Sequence, residues 1–126
     1  MAKNRIMTED HHRRPRSIGG TDHPANKSFV KNKDHKCWHT LFGNMNAFQI
    51  CEHINQMKYK PENIIIVCKF INGTEVIKFG ENNSKNKNKV SRDWDFLFKG
   101  LKFTEIIEYI NSVWLDPSYH FYIKKI

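Results

Sequence analysis

Residues 10–44 read DHHRRPRSIGGTDHPANKSFVKNKDHKCWHTLFGN, and the reading of this stretch decides the fold. Five of the seven histidines fall within it, and Arg13, Arg14 and Arg16 follow directly on the paired His11 and His12. Imidazoles gathered this closely point to a metal or proton-transfer site rather than to core filling. Residues 11–17 are read as extended, because Pro15 bars a helix through them. Gly19 and Gly20 then turn the chain into a loop continued by Thr21, Asp22 and Pro24. Residues 26–31 have the β-branched and aromatic character of a second short strand. Asp34 stands where a helix N-cap would, and His35, Trp38, His39 and Phe42 recur at i, i+3, i+4 and i+7. The order is strand, loop, strand, helix.

That order puts His35 and His39 one helical turn apart, so both imidazoles can reach a single ion from one face. His11, on the first strand, supplies a third ligand if the hairpin packs on the helix. His12 then points the other way, as neighbouring residues of a strand do. A histidine beside a metal site but not bound to it is a candidate general base. His23, His53 and His120 lack such company and read as ordinary polar residues.

The series His11-His12, Pro15, Ser17, Gly19-Gly20, Asn26 and His35 resembles the HNH nuclease motif of the ββα-metal fold, in its His-rich, colicin-like form. The spacings fit without a gap over about a quarter of the chain. The resemblance implies that His11, His35 and His39 bind one divalent metal ion and that His12 is the general base. It implies that Asn26 constrains the loop and helps to orient His12, and that Arg13, Arg14 and Arg16 lie beside the site and clamp phosphate oxygens. Many HNH enzymes carry Asp where this chain has His11, and others carry zinc-binding CxxC pairs that are missing here. Of Zn, Ni, Mn, Co and Mg, an all-imidazole site suits the transition metals better than Mg, which prefers oxygen ligands.

Composition bounds the rest. A chain of 126 residues with 39% hydrophobic and 13% aromatic residues supports one compact domain, with Trp38, Trp94 and Trp114 as anchors. The net charge of +8 favours a polyanionic partner, nucleic acid first. Cys37, Cys51 and Cys68 form no CxxC pair, and no signal-peptide core or membrane-spanning run is evident, so reduced thiols in a soluble cytoplasmic protein with no membrane partner are expected.

Beyond residue 44, residues 47–57 show a helical stripe with Asn46 as N-cap. Residues 63–70 are strongly β-prone, Asn72-Gly73 is a hairpin signal, and residues 74–79 read as the partner strand. Residues 81–89 read as a polar, basic loop. An ungapped alignment at an offset of 56 residues then matches Trp38 to Trp94, Leu41-Phe42 to Leu97-Phe98 and Asn55 to Asn111, with Pro61 on Pro117 and Lys69 on Lys125. His35 and His39 become Ser91 and Asp95 in that copy, which has lost two of the three ligands. The expected fold is α+β: a ββα-metal (HNH) motif followed by a helix and β-hairpin, with a degenerate second copy packed into one body. In domain terms, residues 1–9 form a loose arm, 10–70 the HNH-like lobe and 71–126 the degenerate repeat lobe.

The expected function is a small metal-dependent HNH endonuclease that hydrolyses phosphodiester bonds in DNA, which is favoured over RNA as partner. Two alternatives stand beside it: a catalytically inactive, metal-stabilised nucleic-acid-binding module, and an interaction or inhibitor protein built on the same scaffold, for which a protein partner is required. Oligomeric state is left open.

Overall fold

In the computed structural model, which describes residues 7–72 and 91–126, strand pairing begins earlier than composition implies. β1 (Thr8–His12) pairs antiparallel with β2 (Lys27–Lys31), with Thr8 opposite Lys31 and His12 opposite Lys27. Thr8 and Glu9 therefore belong to the sheet and not to a loose arm, since Asn32 N donates to Met7 O at 2.8 Å and fixes this end of the ladder. The first strand also stops at His12, short of residue 17. Arg13 N still reaches Asn26 O at 2.7 Å, but Pro15 has no N–H to give and a single 3₁₀ turn follows at Arg16–Ile18.

The two glycines close this loop for different reasons. Gly19 takes φ +94°, a left-handed conformation that disfavours a side chain. Gly20 lies so close to the preceding strand end that a Cβ there would sit 1.7 Å from Arg14 O.

α1 (Asn32–Phe42) starts ahead of the expected cap. Lys31 occupies the N-cap position with no side-chain hydrogen bond, while Asp34 lies in the first turn, where its charge complements the positive helix end. Trp38, Leu41 and Phe42 are its buried face. α2 (Ala47–Asn55) has the expected cap at Asn46: Gln49 N donates to Asn46 Oδ1 and Asn46 N donates to Gln49 Oε1, both at 2.9 Å. β3 (Ile64–Phe70) buries Ile64, Ile66 and Cys68 in alternation.

The order helix, helix, strand then recurs. α3 (Arg92–Leu97), capped by Ser91, packs on α1; α4 (Phe103–Tyr109) runs into a wide turn at Ile110–Trp114; and β4 (Tyr119–Lys125) pairs antiparallel with β3. The expected second hairpin strand at residues 74–79 and the basic loop at 81–89 lie outside the described residues. Asn55 and Asn111 play the same part in the two halves. Asn55 Nδ2 donates to Ile66 O and Ile66 N donates to Asn55 Oδ1, both at 2.9 Å. Asn111 does the same with Phe121 O and N at 3.0 and 2.8 Å.

These bonds also correct the alignment. Ile71 N donates to Ser118 O and Ile126 N donates to Asn63 O, at 2.9 and 3.1 Å, so Asn63 corresponds to Ser118 at an offset of 55 residues. The strands are thus one residue out of step with the helices, because the second copy is a residue shorter between its asparagine and its strand. Lys69 consequently corresponds to Lys124 and Pro61 to Asp116, not to Lys125 and Pro117. Val67 pairs with Tyr122, its own counterpart at that offset, and a local two-fold axis passes through the pair.

The fold class is α+β, with two two-stranded antiparallel sheets among the described residues. The core joins the halves through aromatic stacking: Trp38 lies on Trp114 at 4.9 Å between centroids, and Trp94 on Tyr59 at 4.8 Å. Cys51 and Cys68 are buried free thiols, and burial pushes each up to about 12. No helix among the described residues is long and apolar enough to cross a membrane.

Asn111→Ala removes both bonds that tie the second helical segment to β4. A stability loss of about 2 kcal/mol is expected, read as a lower urea midpoint at unchanged slope, with Asn55→Ala matching it in the first half.

Candidate metal centre

Strand alternation divides the chemistry of β1. Glu9 and His11 share the face turned toward α1, while Asp10 and His12 share the other. His11 is the most deeply set of the histidines, 2% exposed, because the hairpin docks on the wide turn at Ile110–Trp114. In that turn Leu115 N reaches Ile110 O, a five-residue span, at 2.9 Å. The neighbouring carbonyls are then taken by the hairpin: Ser28 Oγ donates to Val113 O at 2.7 Å, His11 Nε2 to Trp114 O at 3.0 Å, and Arg13 to Leu115 O and Asn111 O at 2.7 and 2.6 Å.

With Nε2 donating to Trp114 O, His11 turns a lone pair out on Nδ1. That atom is buried and has no hydrogen-bond partner among the described residues. An orphaned buried acceptor is costly unless something else binds it. Beside this ring stand His35 and His39, whose centroids lie 5.2 and 5.9 Å from its own. His35 Nε2 and His39 Nε2 are 2.9 Å apart, and one ligand atom from each of the three rings lies within 4.8 Å of the others. Zinc-like ions bind imidazole at about 2.1 Å, which sets nitrogens about 3.3 Å apart in a tetrahedral site. The observed separations straddle that value, so the donor set fits a divalent ion with small side-chain adjustments.

The remaining nitrogens are oriented as a metal site requires. His35 Nδ1 lies 2.6 Å from Glu9 Oε1, a carboxylate-to-histidine bond that fixes the tautomer and directs Nε2 toward the other rings. Burial holds His11 at about 4, below the ordinary 6.5, with the neighbouring His35 and His39 adding to the shift. His39 is lowered by the same two causes, burial first and then His35. Both are therefore neutral near pH 7 and offer lone pairs without first shedding a proton.

The three histidines grade from buried His11 through half-buried His35 to exposed His39, so the cluster opens outward. It opens beside a cleft of about 260 Å³ lined in part by Asp10, His12, Arg16, Ser17, His35 and His39. His12 thus reaches the same cleft from the far face of β1, with Nε2 at 2.8 Å from Asp22 Oδ1.

The other expected site residues are placed differently from one another. Asn26 is buried and pins the loop: it accepts from Arg14 N at 2.7 Å and donates to Arg14 O and Thr21 O at 3.1 and 2.8 Å. Its amide is spent on backbone, and the side chains against His12 Nε2 are those of Asp22 at 2.8 Å and Arg16 at 3.4 Å. Arg13 is turned into the C-terminal turn, and Arg14 Nε bonds the buried Asp116 carboxylate at 2.5 Å. Both carry bonds that hold the fold. Arg16 remains at the cleft, with Nη2 2.6 Å from Asp22 Oδ1. Sequence reasoning missed Glu9 and Asp22. Glu9 was legible in principle, two residues before His11 and so on its face of the strand; Asp22 looked like one more turn residue. Among the isolated histidines, His23 Nδ1 caps a turn by accepting from Ala25 N, and His120 contacts Asn111.

No family model, curated protein or solved structure matches the chain. The chemistry of this centre therefore rests on its geometry.

Two outcomes follow from that geometry. Glu9→Gln is expected to weaken zinc binding about 10- to 100-fold in calorimetric titration while leaving the urea midpoint of the metal-free protein nearly unchanged. The depressed His11 also gives a pH dependence. Its stabilising effect is complete above the unfolded value of 6.5 and is lost as pH falls toward about 4, where the folded form also protonates. Metal-free protein is expected to lose about 2 kcal/mol between pH 6.5 and about 5 in urea melts, above the range where most carboxylates titrate. A flat profile there counts against a neutral buried His11.

Proposed function

We propose that the chain is a small metal-dependent endonuclease of the HNH kind, hydrolysing phosphodiester bonds in DNA. The observation that carries this reading is the convergence of His11, His35 and His39, one nitrogen of each within 4.8 Å of the others, beside a fourth imidazole, His12, on the same cleft. The order β1, β2, α1 matches the strand, strand, helix order of the ββα-metal fold, and the net charge of +8 suits a polyanion.

On this reading His11, His35 and His39 hold one divalent ion, which when bound supplies Lewis acidity toward a phosphate oxygen. His12 accepts a proton from the attacking water. As the water oxygen bonds to phosphorus, the bond to the leaving ester oxygen breaks, and that oxygen takes its proton from solvent. Arg16, exposed at the cleft, is the guanidinium placed to meet a phosphate. Asn26 keeps the loop between the strands closed, so that His12 and Arg16 stay on one side of it.

The test is supercoiled plasmid incubated with purified protein and Mg, Mn, Ni, Co or Zn. Metal-dependent nicking or linearisation is expected. His12→Ala should lower the rate about 100- to 1000-fold at unchanged metal content, and His39→Ala should lower both rate and metal content. Cleavage that survives loss of the metal overturns the mechanism. Protein that holds a stoichiometric ion and binds DNA in a salt-dependent way, yet never cleaves, is instead the metal-stabilised binding module.

A further inference from the structure

The loop between β1 and β2 brings a carboxylate to His12 that the HNH-like pattern does not call for. Asp22 Oδ1 lies 2.8 Å from His12 Nε2. The same oxygen accepts from Arg16 Nη2 at 2.6 Å, and Arg16 Nε stands 3.4 Å from His12 Nε2. These contacts compete for the tautomer of His12. A proton on Nε2 satisfies the carboxylate, whereas a lone pair on Nε2 would serve only the longer contact with Arg16. A charge-assisted bond at 2.8 Å outweighs a 3.4 Å contact near the limit of hydrogen bonding. His12 therefore keeps its proton on Nε2 and its lone pair on Nδ1.

From this geometry we propose that Asp22 is a positioning residue for His12, holding the ring in the Nε2–H tautomer so that Nδ1 is the nitrogen that accepts a proton at the cleft. The inference rests on the nuclease reading for its consequence in catalysis, but the tautomer itself does not. Asp22 lies in an exposed loop whose path is set by other bonds: Asn26 Nδ2 to Thr21 O at 2.8 Å, Gly20 N to Pro15 O at 2.9 Å and Asn26 N to His23 O at 2.8 Å. Removing its carboxylate leaves those bonds in place. The link to Arg16 also gives the pair a second use. Arg16 is 67% exposed and its ion-pair partner among the described residues is Asp22, so a phosphate that draws the guanidinium away leaves Oδ1 to His12.

The experiment has two independent arms. In the first, nitrogen-15 spectra of histidine-labelled, metal-free protein at pH 8 read the protonated ring nitrogen of His12. A single Nε2–H form is expected in the wild type, giving way in Asp22→Ala to the mixed tautomers of a free imidazole, with His39 unmoved. A His12 proton on Nδ1, or a His12 signal indifferent to Asp22→Ala, overturns the proposal whether or not the protein cuts DNA.

The second arm measures plasmid nicking. Asp22→Ala is expected to lower kcat about 10- to 100-fold with KM and bound metal unchanged, Asp22→Glu to recover most of the loss, and Asp22→Ala to cost nothing further in a His12→Ala background. Additive losses in that double variant, or a change confined to KM, overturn it. A wild type that never nicks rejects the nuclease reading alone, and the spectra then decide the tautomer.

Discussion

An imidazole placed where charge is costly governs this structure. His11 sits under the hairpin with its proton on the Trp114 carbonyl, and burial holds it neutral. Those two facts leave a lone pair in the interior with no partner among the described residues. Two further imidazoles are brought beside that ring by helix α1, and Glu9, two residues from His11 on the same strand face, fixes the orientation of His35. Were the hairpin to dock differently on the C-terminal turn, His11 would gain water, its proton would be free to move between nitrogens, and the convergence would be lost.

The part played by the second half of the chain follows from the same contact. Its wide turn at Ile110–Trp114 leaves main-chain acceptors unfilled by the helix itself, and the hairpin supplies the donors through Ser28, His11 and Arg13. Two of the three arginines near the histidine pair are thereby committed to architecture. The +8 of the chain as a whole is therefore a poor guide to the charge at the cleft, where Arg16 is the arginine left facing solvent.

What was legible in the sequence was what local geometry fixes. The i, i+4 spacing of His35 and His39, the alternation of His11 and His12, the cap at Asn46 and the glycine pair each depend on residues a few positions apart. What was missed depends on partners far along the chain. β1 begins at Thr8 because β2 offers it partners and Asn32 N holds Met7 O just ahead of it, and nothing in the polar run before it announces that pairing. Asp34 had the chemistry of a cap but the helix begins at Asn32, since the chain turns directly out of β2. Arg13 and Arg14 read as free cations because their acceptors, Leu115 and Asp116, lie about a hundred residues downstream. The single-residue shift between the two copies was invisible to an ungapped comparison, because the helices keep one offset and only the strands reveal the other.

The distance in sequence between His11 and Trp114 has a consequence for how the protein is made. Their hydrogen bond spans 103 residues, and β3 likewise waits for β4, whose last paired residue is Lys125. During synthesis from the amino end, α1 and its two histidines emerge long before the turn that seats the third imidazole. The growing chain thus carries a two-histidine helix before the turn that encloses His11 has been made. Whatever chemistry the finished centre performs is withheld from the nascent chain by the order in which its parts appear.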